Sequence, residues 1–151
     1  MGIHCGLTSR LCLLLHRAGH WCLSNRLRQL GLLFQMSNRL LTGADIDLGA
    51  ELSPTVIIPH TVGVVIGATA IIEDAVVLMP HVVLGALDSA APGRRHPHVH
   101  PGALIGAGAK LLGPLTVGKG AKIGANSVVF IDVPAGATVV GAPGKIVRTR
   151  A

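Results

Sequence analysis

The chain has 151 residues, enough for one domain with a sizeable core, and half of them are apolar although only 2% are aromatic. Its thirteen Lys and Arg residues against seven Asp and Glu give a net charge of +6, yet only 13% of the chain is charged. The basic residues are scattered and no aromatic stacking platform accompanies them, which argues against nucleic acid as a partner. We therefore expect a core of small and branched aliphatic side chains and a basic surface suited to a phosphorylated small ligand.

Residues 10–41 place leucines and other apolar side chains at helical spacing among arginines, which predicts a helical segment over residues 1–44. Gly19 and Ser24-Asn25 interrupt the pattern, so we expect two short helices that serve as a packing or subunit-contact element. The apolar run LCLLL is too short to cross a membrane, and no signal-peptide pattern follows it. No membrane partner and a cytoplasmic location are expected.

The cysteines lie in the first 22 residues, and their spacing matches no zinc or redox motif. They are Cys5, Cys12 and Cys22. We expect reduced thiols. The neighbouring His4, His16 and His20 leave a metal site conceivable there.

After this segment an aliphatic residue recurs at every sixth position, in two frames. The first frame contains Ile66, Ile72, Leu78 and Leu84, and can be followed weakly back through His60, Pro54 and Leu48. The second contains Val99, Ile105, Leu111, Val117, Ile123 and Val129. Small or apolar residues recur four places after many of these positions, at Ala70, Val76, Val82, Ala103, Ala109, Leu115, Ala121 and Ser127. Six residues fit short extended strands and no whole number of helical turns, so the pattern predicts a parallel β-helix with triangular coils.

About five coils fit into residues 45–140, followed by a tail over residues 141–151. The two frames differ by three residues after whole hexads, and the stretch GALDSAAPGRRHPH predicts an interrupting loop over residues 85–98. A long prism has flat sides that suit identical neighbours, and together with the low charge this favours a homotrimer.

Three polar residues stand out from the repeat: Asp45, His60 and His96. Asp45 and His60 are fifteen residues apart, and with about eighteen residues per coil they are expected close together on adjacent coils. A carboxylate beside an imidazole fixes the ring tautomer and makes the histidine a better base. His96 ends the interrupting loop, where a second subunit could be reached. Each residue also has a plain structural explanation, as a surface histidine or as a carboxylate that ends the preceding helix.

Several stretches together resemble the serine O-acetyltransferase branch of the hexapeptide-repeat acyltransferase superfamily, in its short form. They are GADIDLGAEL, IPHTVGVVIGATAIIEDAVVLMPHVVLG, RRHPHV and the run from ALIGAGAK to APGKIV. The order of Asp45, then His60, then RRHP is the part most specific to this branch. The resemblance implies a left-handed β-helix, a homotrimer with active sites between subunits, and acetyl-CoA as donor, with no metal.

The resemblance also implies a role for individual residues. His60 matches the general base that takes the proton from the acceptor hydroxyl, and Asp45 matches the carboxylate that orients it. His96 and Arg95 match the pair that holds the amino-acid carboxylate. The cofactor-binding positions are Gly85, Ala86, Ala107, Lys122 and Ala125. The implied reaction acetylates the hydroxyl of L-serine to O-acetylserine, a step of cysteine biosynthesis; a serine hydroxyl is a poor nucleophile and needs such a base.

The sequence departs from this branch in four places. Pro59 stands where an acidic residue usually helps to hold the ammonium group of the acceptor, and Gly85-Ala86-Leu87-Asp88 replaces a GGTG-like turn. The helical segment is short, so we expect another acidic contact and the surface that pairs trimers into hexamers to be missing, and whether trimers pair stays open. The tail ends RTRA instead of in the isoleucine that long enzymes insert into cysteine synthase, so that complex is not expected. The acceptor and cysteine feedback inhibition stay open.

Three alternatives remain. In the first, the acceptor is a different hydroxylated amino acid or a sugar. In the second, the chain is a structural β-helix without catalytic activity. The third is a metal lyase of the γ-carbonic anhydrase type, which needs three imidazoles around zinc. The candidates for that site are His81, His96, His98 and His100, although His96 and His100 have three residues between them where that family has four.

Overall fold

The computed structural model describes residues 6–148, in which two helices precede fourteen short strands. The helices are α1 (Leu7–Ser24) and α2 (Arg28–Thr42). The strands are β1 (Asp45–Ile46), β2 (Glu51–Leu52), β3 (Val65–Ile66), β4 (Ile71–Ile72), β5 (Val77–Leu78), β6 (Val83–Gly85), β7 (His98–Val99), β8 (Leu104–Ile105), β9 (Lys110–Leu112), β10 (Thr116–Val117), β11 (Lys122–Ile123), β12 (Val128–Val129), β13 (Thr138–Val140) and β14 (Lys145–Arg148). His4, Cys5 and the last three residues of RTRA lie outside the described residues.

The two predicted helices are present, but the break between them falls only at Ser24-Asn25. Helix α1 continues through Gly19, which is buried against the second helix. A Cβ atom at Gly19 would lie 2.6 Å from Cδ2 of Leu48 and 3.4 Å from the carbonyl oxygen of Gly31. Gly19 therefore permits close packing and does not end the helix, which corrects the expectation from sequence. Helix α2 ends at Gly43, whose φ of 72° is the left-handed conformation that glycine adopts most readily.

The strands form three sheets, and from β3 to β12 each strand is followed in the chain by a strand of the next sheet. In the first and last coils one side is represented by a single bridging residue, Ile57 or Val133. In spatial order the first sheet is β1-β3-β6-β9-β12, the second is β2-β4-β7-β10, and the third is β5-β8-β11-β13-β14. All pairs are parallel except β13 with β14, which brings a strand into the predicted tail. This connectivity is a parallel β-helix of five coils, as the period of six predicts.

Each coil turns at three corners, which we name by the sheets that they join. The first corner, between the first and second sheets, comprises residues 67–70, 86–97 and 113–115. The second corner, between the second and third sheets, comprises residues 73–76, 100–103 and 118–121. The third corner, which leads back to the first sheet, comprises residues 59–64, 79–82, 106–109 and 124–127. Residues of one corner lie in a row along the β-helix.

Both predicted frames point inward. The frame positions from Ile66 to Leu84 and from Val99 to Val129 are buried, and so are the residues four places after them, except that Asp88 after Leu84 lies in the extended first corner and is exposed. They form one continuous aliphatic column through the coils. A core of this composition needs no aromatic side chain, which accounts for the 2% aromatic content.

The backward extension of the first frame is wrong. The inward residues of the first coil are Ile46, Leu52 and Ile58 in place of Leu48, Pro54 and His60. The reason is that Asp45 pairs with Val65, twenty residues on, whereas later coils such as Val65 to Val83 repeat after eighteen. The two extra residues enlarge the third corner at residues 59–64. His60 lies on this enlargement and is exposed.

The interruption of the repeat lies between β6 and β7. Val83 pairs with Lys110, twenty-seven residues on, so this coil carries nine residues beyond the usual eighteen. The extra residues extend the first corner at residues 86–97.

Helix α1 covers the first coil of the β-helix. Its polar side chains donate hydrogen bonds to carbonyl groups of that coil: Ser9 to Pro59 at 3.1 Å, His16 to Ala50 at 3.2 Å, Arg17 to Pro54 at 2.9 Å and His20 to Leu48 at 2.8 Å. His16 and His20 thus each use a ring nitrogen on a backbone carbonyl. Helix α1 acts as the polar cap that the open end of a solenoid requires.

Cys12 and Cys22 are buried and unpaired, in agreement with reduced thiols. Burial raises the pKa of the Cys12 thiol, which lowers its reactivity. Within residues 6–148 neither helix is sufficiently long and apolar to span a bilayer.

Candidate active site

His60 lies on the enlarged third corner, next to helix α1. It borders a surface depression of about 310 Å³ that is also lined by Thr8, Ser9 and Val62. The corner is anchored to the end of helix α2: the Thr61 hydroxyl donates to the carbonyl of Thr42 at 2.6 Å, and Gly63 N–H donates to the carbonyl of Gly43 at 3.0 Å. Among the described residues the His60 ring has no hydrogen-bond partner. An exposed imidazole on an anchored corner is free to accept a proton from a bound molecule.

Asp45 contacts helix α2. Its carboxylate accepts a hydrogen bond from Nη2 of Arg39 at 2.5 Å and a longer one from Nε2 of Gln35 at 3.4 Å. The carboxylate raises the pKa of the Arg39 guanidinium through this hydrogen bond and through its charge. In the described part of the chain no hydrogen bond joins Asp45 to His60, so the expected pair stays a prediction.

His96 is held by Thr69 at the first corner. Its Nδ1 lies 2.9 Å from the Thr69 hydroxyl oxygen and accepts the backbone N–H of Thr69 at 3.2 Å. The same hydroxyl accepts the backbone N–H groups of Arg95 and His96 at 3.0 and 3.2 Å. Because Nδ1 accepts, a neutral ring carries its proton on Nε2. That nitrogen lies over Gly67, where a Cβ atom would collide with it.

The environment keeps His96 uncharged. Burial lowers its pKa, the positive charge of Arg95 lowers it further, and the carboxylate of Asp47 acts weakly in the opposite direction. Near neutral pH the ring is therefore a hydrogen-bond donor through Nε2–H, while the adjacent Arg95 carries the charge. Together they offer one neutral and one cationic donor, a combination suited to a carboxylate ligand.

Thr69 is the residue that sequence reasoning missed. It organises the backbone of the extended first corner, yet a single threonine before an inward alanine has no distinguishing signal in the sequence. Arg94 performs a similar task, since its Nη1 donates to the carbonyls of His96 and Leu115 at 3.0 and 3.1 Å.

The predicted cofactor positions fall in three places. Ala107 and Ala125 belong to the third corner, on the same row as His60, and the carbonyl of Ala107 accepts the N–H of Asn126 at 2.8 Å. Gly106 leaves no room for a side chain there, because a Cβ atom would lie 2.6 Å from the backbone nitrogen of Ala125. Gly85 and Ala86 begin the extension of the first corner. Lys122, in β11, is exposed.

The candidate residues thus lie on two different corners of one chain. His60, Ala107 and Ala125 share the third corner, whereas Arg95 and His96 are at the first, with the first sheet between the two corners. A site that uses both rows requires the third corner of one chain to face the first corner of another.

The histidines considered for a zinc lyase do not come together. His81 lies on the third corner and His96 on the first. His98 and His100 lie close to each other, and the carboxylate beside them belongs to Glu73.

The chain is similar to hexapeptide-repeat transferases, in part of its sequence and in its fold. The family model described as bacterial transferase hexapeptide (six repeats) matches residues 96–130. Two curated relatives are serine acetyltransferases. That of Synechococcus elongatus is 43% identical over 135 residues, covering 89% of this chain and 55% of the relative. That of Mycobacterium tuberculosis is 44% identical over 132 residues, covering 87% and 57%.

Solved structures of serine acetyltransferases are also similar to this chain. Serine acetyltransferase from Brucella abortus in complex with coenzyme A superposes with a TM-score of 0.88 at 36% identity, over 92% of this chain and 55% of that one. Soybean serine acetyltransferase complexed with serine has a TM-score of 0.89 at 38% identity, over 94% and 58%. The chain resembles the serine O-acetyltransferase branch of the hexapeptide-repeat superfamily, and its fold is the left-handed parallel β-helix. It spans about half the length of the curated relatives it matches.

Proposed function

We propose that the chain is an acetyl-CoA-dependent O-acetyltransferase that acetylates the hydroxyl of L-serine to O-acetylserine, in the cytoplasm and as part of cysteine biosynthesis. One observation carries the proposal: His60, at the position of the expected base, is exposed on an anchored corner in the same row as Ala107 and Ala125. The similarity to serine acetyltransferases over 89% of the chain supports the choice of reaction.

In the proposed reaction His60 acts as general base. It takes the proton from the serine hydroxyl while the oxygen attacks the thioester carbonyl of acetyl-CoA. The tetrahedral intermediate then collapses, the C–S bond breaks, and the departing thiolate takes the proton back from His60. Asp45 is assigned the orienting role, which requires its carboxylate to turn from Arg39 towards the imidazole.

Arg95 and His96 are assigned to the carboxylate of the acceptor. The guanidinium of Arg95 supplies charge, and the Nε2–H of His96 supplies a neutral hydrogen bond whose direction is set by Thr69 at Nδ1. The lowered pKa of His96 fits this role, because a neutral ring keeps one nitrogen as acceptor for Thr69 and one as donor for the ligand.

The donor is assigned to the row of small residues at the third corner. Ala107 and Ala125 let a thin pantetheine chain lie close to the backbone, and exposed Lys122 is assigned to the phosphates of the nucleotide. Gly85 and Ala86 are placed near the thioester. A relative from Brucella abortus was solved with coenzyme A, which supports this choice of donor.

A homotrimer is part of the proposal, and the placement of these residues on two corners supports it. Three β-helices packed around a common axis bring the third corner of one chain against the first corner of the next. Such a cleft contains both His60 and Arg95 with His96, which a single chain does not bring together.

A second acceptor is supported by Pro59. Proline has no carboxylate, so its side chain offers no attraction to the ammonium group of an amino acid. A different hydroxylated amino acid or a sugar is therefore the alternative acceptor for the same donor and the same base.

The test measures thiol release from acetyl-CoA by the purified chain with and without L-serine, beside His60→Ala. We expect serine-dependent release that falls by about 10²–10⁴-fold in His60→Ala. Calorimetric binding of CoA to both proteins shows that the variant still folds and holds the donor. Serine-dependent release that is equal in the two proteins refutes the role of His60. CoA binding without serine turnover refutes serine as acceptor.

A further inference from the structure

A cluster of three potential metal ligands lies on the side of the β-helix that the proposed reaction does not use. Glu73 follows β4, His98 belongs to β7, and His100 follows β7. Oε1 of Glu73 is 2.5 Å from Nε2 of His98 and 3.0 Å from Nδ1 of His100. The centroids of the two imidazole rings are 4.3 Å apart. Two ring nitrogens and one carboxylate oxygen thus converge on a single point.

The backbone places these side chains together without any special loop conformation. Ile71 pairs with His98 in adjacent coils, and Glu73 N–H donates to the carbonyl of Val99 at 2.9 Å. Val99 points into the core, so the residues on either side of it, His98 and His100, both point outward. The three side chains are 25–36% exposed, which leaves the cluster open to ions from solvent.

We propose that Glu73, His98 and His100 form a binding site for a divalent transition-metal ion such as Zn²⁺. Imidazole nitrogens and a carboxylate are a donor set that such ions favour, and three protein ligands with an open fourth position form a recurring zinc site. The three ligand atoms lie within 4.8 Å of one another. A tetrahedral ion with bonds of about 2.0–2.1 Å needs its ligands about 3.3 Å apart. A small rotation of the exposed Glu73 side chain opens the observed contacts to that spacing.

The same contacts have a simpler explanation, in which both imidazoles donate N–H hydrogen bonds to the carboxylate and no ion is bound. The two arrangements differ in what Glu73 must supply. The metal-free cluster needs only a hydrogen-bond acceptor at position 73, which an amide oxygen also provides. The metal site needs an anionic oxygen ligand at that position. The replacement Glu73→Gln therefore separates them.

The site has a structural consequence. Glu73 belongs to the second coil and His98 to the third, and the nine-residue extension of the first corner lies between them in the chain. An ion would fasten the two coils together just after this extension, two residues from His96. The cluster lies at the second corner, whereas His96 is at the first corner and His60 at the third, and we assign it no role in acyl transfer.

The experiment titrates Zn²⁺ into the chelator-treated full chain by calorimetry and by thermal melting. The variants are Glu73→Gln and His100→Ala. His81→Asn is the matched control, because it removes an exposed histidine on another corner, and asparagine tolerates the φ of 59° there. Circular dichroism checks that each variant is folded.

We expect one Zn²⁺ per chain and a rise in Tm on binding. Both variants should raise the Kd by more than about 100-fold, because loss of a residue that only supports a ligand already costs about 10–100-fold, while the control leaves the Kd unchanged. The proposal is overturned if the wild type shows no saturable binding. It is equally overturned if Glu73→Gln and His100→Ala bind as the wild type does, since the ion then sits elsewhere.

Discussion

His16 should make the stability of the protein depend on pH, because it is a histidine that folding buries in its neutral form. Only 4% of the residue is exposed. Its Nε2–H donates to the carbonyl of Ala50, while Nδ1 is buried without a hydrogen-bond partner in the described chain. Protonation would put a charge on a ring whose second nitrogen has no acceptor. Burial, and then the neighbouring His20 and Arg17, lower its pKa from 6.5 to about 4, and the backbone carbonyl and Asp47 oppose this only in part.

The direction in which stability changes with pH follows from the linkage between folding and proton binding. Above pH 6.5 the ring is neutral in both the folded and the unfolded chain, and it adds no pH dependence. Between pH 6.5 and 4 the unfolded chain binds a proton that the folded chain does not, so the free energy of unfolding falls as the pH falls. The difference between the two pKa values corresponds to a loss of about 3 kcal/mol over this interval.

The assay compares urea unfolding of the wild type and His16→Gln at several pH values between 7 and 4, at one protein concentration. Glutamine retains a donor for Ala50 but does not titrate. The stability advantage of the wild type over His16→Gln should shrink by up to about 3 kcal/mol as the pH falls. His60→Ala, which removes an exposed histidine, should keep the pH slope of the wild type. Parallel pH profiles for the wild type and His16→Gln would show that the buried ring does not carry this effect.

Two other substitutions test the candidate site. Thr69→Val removes the hydroxyl that accepts the N–H groups of Arg95 and His96, so the KM for the acceptor should rise while CoA affinity, measured by calorimetry, stays the same; an unchanged KM contradicts the anchoring role. Gly106→Val places a Cβ atom 2.6 Å from the backbone nitrogen of Ala125, which forces two coils apart. A lower Tm and weaker CoA binding are expected, and Gly106→Val with the wild-type Tm would show that the corner can yield.

Much of the β-helix could be predicted because its interior imposes one rule on every coil. Each inward position must be aliphatic, so the two frames from Ile66 and from Val99 reveal the coils directly. The rule fails where a corner gains residues. Leu48 is apolar and buried under helix α1, so it fitted the frame, although Ile46 is the residue that faces the column. Two additional residues at a corner change the register without leaving any signature in composition.

Side-chain partners were harder to predict than positions. His96 was placed correctly at the end of the extension, but the hydroxyl that holds it belongs to the previous coil. The number of residues per coil predicted that Asp45 lies next to His60. In the structure Asp45 accepts a hydrogen bond from Arg39 of helix α2. The orientation of that helix depends on its packing against α1, which the sequence spacing does not reveal. The Glu73–His98 contact depends on the length of the extension, which a repeat period does not contain.

The cap formed by helix α1 has a bearing on aggregation. A parallel β-helix presents at its first coil a row of backbone carbonyls that can pair with strands of other molecules. Here the carbonyls of Leu48, Ala50 and Pro54 are already occupied by side chains of the helix. Because these acceptors are used within the chain, end-to-end stacking into fibres is blocked at this end. The polar residues of α1 thus occupy backbone acceptors that would otherwise be open to strands of other molecules.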